Sequence, residues 1–182
     1  MSWVDILARV VGAIPKPVGR ALVFPFRAFP GFRKADQVLR AEREIACLES
    51  CANFDAAREL RKRALETSEP RYCAVLWRSE GFDLLRLGRP TEALEAFRRG
   101  IHHLDDSPFM YGVARADELY YGAAMAAFEA GDRDAARGYY RRAANAVTGI
   151  RRAVRIEQPP PWWDGGLESL RRELGEPSRK RL

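Results

Sequence analysis

Three stretches of this chain set a small residue four positions before a large one: Ala57 before Arg61, Ala93 before Phe97, and Ala136 before Tyr140. The alanines lie 36 and 43 residues apart. Self-similarity at a period near ~34 residues marks a chain built by stacking one supersecondary unit. A single such unit cannot bury its own apolar face, so each must cover its neighbour. No other feature of the chain constrains its fold as strongly.

The clearest unit begins at Trp77 and runs through Gly81, Leu84, Gly88, Ala93 and Phe97. Gly81 and Ala93 are small where two antiparallel helices would cross closely, and Phe97 is bulky where the second helix must fill a hollow. Gly88 suits a helix end and Pro90 the first turn of the next helix. A second copy places Tyr120, Ala124, Ala127, Gly131, Ala136, Tyr140 and Ala143 at matching positions. There Asp132 can cap the helix that follows Gly131. An earlier copy holds Ile45, Leu48, Ala52, Asn53, Phe54, Ala57 and Ala64. It lacks the glycine and the late aromatic, because Arg61 stands where Phe97 does. The longer second gap predicts an insertion over residues 103–110.

These residues resemble the tetratricopeptide repeat family across roughly residues 37–147. Glu80 and Leu84 replace the family's usual Leu and Tyr. The structural landmarks are Trp77, Gly81, Gly88, Ala93, Phe97, Gly131, Ala136 and Tyr140. The resemblance implies an all-α fold: a short α-solenoid of about three helical hairpins. A C-terminal capping helix carrying Leu167, Leu170 and Leu174 would follow, and an amphipathic extension would precede it. It also implies that first-helix positions line a concave, partner-binding side. Carried onto this chain, those positions are Arg78, Phe82, Leu85, Tyr121, Met125 and Phe128. Such a surface is apolar and aromatic, suited to an apolar helix or extended segment of another protein.

The N-terminal segment reads differently. At 100° per residue, Trp3, Val4, Ile6, Leu7, Val10, Val11 and Ile14 share one face of a helix over residues 3–14. Phe24, Phe26, Phe29 and Phe32 then interleave with Arg20, Arg27 and Arg33, while Pro25 and Pro30 forbid one long helix. Residues 1–34 carry the basic side chains Arg9, Lys16, Arg20, Arg27, Arg33 and Lys34 against a single acid, Asp5. Aromatics mixed with cations and almost no acid suit docking on an anionic lipid surface or on membrane-embedded subunits. The competing expectation is that these rings fold back over the first hairpin. The expected organisation is therefore a docking segment over 1–34, a repeat domain over 35–156, and a Pro/Trp linker, capping helix and basic tail over 157–182.

The charge distribution argues against a general nucleic-acid binder. The chain is +6 overall, but its basic excess sits at the two ends and the repeats are near neutral. No phosphate-cradling, zinc-protease or nucleophile-elbow motif occurs, so no catalytic residue, cofactor or small-molecule substrate is expected. His102 and His103 point about 100° apart on a helix and do not make a metal pair. Cys47 and Cys51, one turn apart, are expected to pack in the core or between helices. Three cysteines and no secretory leader suggest a reducing compartment. No run approaches the ~18 apolar residues of a spanning helix, so the expected location is cytoplasmic and peripheral to a membrane. Pro159-Pro160-Pro161-Trp162-Trp163 suits either a stiff linker whose rings pack on the scaffold or a polyproline ligand, and packing is the favoured reading. The leading functional expectation is a non-catalytic adaptor or assembly subunit of a membrane-associated protein complex. A soluble peptide-binding co-chaperone and an RNA-binding repeat protein are the alternatives.

Overall fold

The computed structural model describes residues 30–106, 115–153 and 160–177. The described residues are helical, with no strand among them. The helices are α1 (Pro30–Ser50), α2 (Phe54–Thr67), α3 (Ala74–Arg86), α4 (Pro90–Asp106), α5 (Ala116–Glu129), α6 (Arg133–Ala153) and α7 (Gly165–Leu174). Short 3₁₀ turns, Pro70–Tyr72 and Pro161–Trp163, precede α3 and α7.

The turns explain why the helices pair. At α3–α4, the Gly88 N–H donates to the Leu85 carbonyl and the Arg89 N–H to the Leu84 carbonyl. The same pair of bonds recurs from Gly131 and Asp132 to Phe128 and Ala127, and from Ala52 and Asn53 to Glu49 and Leu48. Each is a helix end closed by one residue in the left-handed region, with φ of 69° at Gly88, 84° at Gly131 and 58° at Ala52. A capping residue follows at once: the Ala56 N–H donates to Asn53 Oδ1 and the Ala135 N–H to Asp132 Oδ1. Turns this tight lay α2 on α1, α4 on α3, and α6 on α5.

Between pairs, α1 touches α3, α3 touches α5, and α4 lies against α5. Helix α5 is enclosed on several sides, and Gly122, Ala123, Ala124, Ala126 and Ala127 are all buried. Small residues there let the flanking helices approach. Phe97 of α4 is wholly buried. A Cβ on Gly81 of α3 or on Gly122 of α5 would run into its ring. The aromatic thus wedges between two hairpins, and the two glycines are the space it needs. Leu167, Leu170 and Leu174 of α7 are buried, and α7 lies against α6.

Several boundaries differ from the sequence reading. Helix α1 starts at Pro30, where a fixed φ suits a first turn, so Phe32, Arg33 and Lys34 belong to the scaffold's first helix. Lys34 pairs with Glu69 at 2.7 Å. Residues 103–106, expected within the insertion, continue α4; residues 107–114 lie outside the described residues.

Candidate partner-binding face

The six residues expected to line the binding side fall in two matched rows. Arg78, Phe82 and Leu85 on α3 precede Gly88 by the same steps as Tyr121, Met125 and Phe128 on α5 precede Gly131. Steps of four and three residues keep each row on one helix face. All six are half-buried. Counting back from Ala52 gives a third row on α1: Glu42, Ala46 and Glu49. Sequence reading missed this row, although the spacing from Ala52 carries the signal, because Ala52 lacks the glycine that marks the other two turns.

Ionic contacts join the rows. Arg78 reaches Glu42 of α1 at 2.7 Å and Glu118 of α5 at 3.0 Å, so one guanidinium ties three first helices together. Its side chain is only 13% exposed. Arg78 is therefore largely a structural bridge and offers little of its charge to a ligand. Phe82 also faces inward in part, meeting the Phe97 ring edge-on at 5.1 Å. Arg133 lies over the Phe128 ring at 5.7 Å.

The C-terminal segment covers one end of the α5 row. Trp162 stacks on Tyr121 with ring centroids 4.5 Å apart. Burial, with Glu173 nearby, holds the Tyr121 hydroxyl above its ordinary pKa. Trp163 is buried and its indole Nε1–H donates to Asp117 Oδ2 at 2.9 Å. Asp117 is buried too, and also meets Arg115 at 3.2 Å. Arg151 pairs with Asp164 at 2.7 Å and lies over the Trp163 ring. Trp162 and Trp163 thus pack on the scaffold, as the favoured reading of that stretch expected, while Pro159 lies outside the described residues. Tyr121 is consequently shared between the proposed face and this internal contact. Leu85, Met125 and the exposed part of Phe128 remain as the open apolar strip.

Arg61 is the residue whose position in the repeat was noticed but whose burial was not. It takes the place of Phe97 and Tyr140 and is fully buried. Its Nη2 bonds Glu49 of α1, and its Nη1 lies 3.0 Å from Glu80 and 3.3 Å from Asp83, both on α3. Three carboxylates from two other helices make its burial possible.

Cys47 and Cys51 are exposed, not packed in the core as expected. Cys47 stands in the last turn of α1 and Cys51 in the turn just past its end. Cys73 is buried, and loss of solvent pushes its thiol up to about 11. His102 and His103 lie near the end of α4 with rings tilted 5.4 Å apart. Among the described residues no group of three His, Cys, Asp or Glu is placed to hold a metal ion. No described helix is long and apolar enough to cross a membrane. Trp3, Ile6, Leu7, Val10, Arg20, Phe24, Phe26, Arg27 and Phe29 lie outside the described residues. No protein-family model, curated protein or solved structure gave a significant match to this chain.

Proposed function

We propose that the chain is a non-catalytic adaptor whose hairpins form a short tetratricopeptide-like solenoid. It holds a partner protein segment on its first-helix face and docks to a membrane-associated complex by its N-terminal segment. One observation carries the binding half: Leu85, Met125 and Phe128, from two helices that touch, stay half-buried. Their ionic neighbours are already paired, so apolar contact is what the face has left to offer. A helix or extended segment presenting apolar side chains fits it, on the pattern of groove-bound peptides. The docking half rests on the aromatic and basic character of residues 1–29.

Copurification in gentle detergent, with mass spectrometry of the retained proteins, tests both halves. Leu85→Ala with Met125→Ala should reduce partner retention while circular dichroism stays helical. Unchanged retention in a folded double variant would remove the binding face. Because α1 begins at Pro30, the deletion that tests docking should remove residues 1–29. That variant should remain folded and leave the membrane fraction. Salt at 1 M, where the Debye length falls to ~3 Å, should fail to release the intact protein, whereas detergent succeeds. An intact chain found in the soluble fraction at low salt, with partners present, would overturn docking.

A further inference from the structure

We propose that α2 is a releasable element of this scaffold, held shut by Arg61 as a latch. The second helices of the three hairpins are held in very different ways. Helix α4 buries Leu94, Phe97, Ile101 and Leu104 with Ala93 and Ala96, and α6 buries Tyr140 and Val147 with Ala136, Ala143 and Ala144. Helix α2 buries Ala57, Arg61 and Ala64. Two alanine methyls, with Leu60 and Leu65 only half-buried against the core, bring less apolar area out of water than the side chains of α4 and α6 do, so hydrophobic burial holds α2 less firmly than its counterparts.

What holds α2 is charge. Arg61 meets Glu49, Glu80 and Asp83. Arg58, also on α2, reaches Asp83 at 3.4 Å, and Arg86 of α3 shares Asp83 and Glu49 at 2.7 Å and 3.6 Å. Three guanidiniums thus face three carboxylates. Desolvating such groups offsets most of their mutual attraction, and Arg61 Nε has no hydrogen-bond partner among the described residues. On opening, every member regains water. A packed aromatic wedge such as Phe97 recovers nothing comparable.

Two features of the geometry agree. A surface groove of about 470 Å³, open to solvent, runs along the α2–α3 joint, lined by residues that include Arg58, Leu65, Trp77 and Glu80. The turn leading into α2 also carries strain, since Ala52 holds a φ of 58° that its counterparts assign to glycine. Opening at this turn and at Ser68, the residue that ends α2, frees the helix while α3 to α7 keep their contacts. It would uncover Glu49, Glu80 and Asp83 together.

Hydrogen exchange read by mass spectrometry on the full chain tests the latch. The interior amides of α2, residues 58–64, should exchange at least ~10-fold faster than those of α4 and α6. Raising NaCl from 0.05 to 1 M should speed α2 more than α4 and α6, whose apolar burial salt does not weaken, and the half-exposed Arg58 and Arg86 supply that response because screening reaches buried Arg61 far less. Arg61→Leu combined with Glu49→Gln, Glu80→Gln and Asp83→Asn should slow α2 exchange and abolish its salt response. Exchange of α2 in step with α4 and α6, or an equal salt response in all three, overturns the proposal. If the combined variant does not fold, the salt series on the unaltered chain decides alone.

Discussion

Phe97 occupies the space that a side chain on Gly81 would need. A Cβ built on Gly81 would stand 2.6 Å from the ring, and one on Gly122, across the wedge, would be closer still. Two glycines on different helices therefore share one partner. Gly81→Ala and Gly122→Ala should each lower stability by ~1–3 kcal/mol, the usual cost of overpacking. Shrinking the ring should partly rescue them: Phe97→Leu with Gly122→Ala should be less destabilised than the sum of the single changes. Thermal melts of the four proteins measure the coupling, and strict additivity would mean that ring and glycine do not meet.

The three turns offer a cleaner comparison, because one backbone geometry is met by Ala52, Gly88 and Gly131. A residue with a Cβ pays roughly 1–2 kcal/mol for a left-handed φ. Ala52→Gly should raise stability by up to ~1 kcal/mol, part of the relief being lost to the unfolded chain's added freedom. Gly88→Ala and Gly131→Ala should lower it by about 1 kcal/mol, and nothing lies within 4 Å of either Cβ position to confuse the reading. Denaturant melts giving the same sign for all three would contradict the turn assignment.

Thiol labelling should divide the cysteines two to one. Cys47 and Cys51 are exposed and should react promptly with a thiol reagent at pH 8. Cys73 is buried, with its pKa raised to about 11 by desolvation, and should stay protected until the protein unfolds. Three equally fast thiols in the folded chain would show that the packing around Cys73 is not as described.

Glu168 provides a pH prediction. Its hydrogen bonds from Arg171 and then Arg172 hold its carboxyl at about 2, below the ordinary 4.5. A folded pKa below the unfolded one contributes stability above pH 4.5, and that contribution is lost as pH falls through the window down to about 2. The side chain is partly exposed, so salt should shrink the effect. Carboxyl NMR titration should find Glu168 among the most acidic glutamates, and Arg171→Gln should move it back toward 4.5. A Glu168 that titrates normally in the intact chain would mean that the Arg171 contact does not persist in solution.

Much of the helical framework was legible in the order of residues alone. Gly88, Gly131, Asp132 and Pro90 act within a few positions of where they stand, so the turns and helix starts they mark could be read locally. The recurrence of Ala57, Ala93 and Ala136 named the sites of close approach, since no helix can cross tightly over a larger side chain. Tertiary structure decided everything that depends on a neighbour from another helix. Arg61 was visible as an interruption of the pattern, but its burial required carboxylates from α1 and α3 that lie 12 to 22 residues away. Tyr121 had the spacing of an open binding residue, yet Trp162 from beyond the repeats covers it. Cys47 and Cys51 share a helical face in sequence, but only packing could show that this face meets water. A periodic pattern states which residues travel together on a helix; which of them lose solvent is set by what arrives opposite.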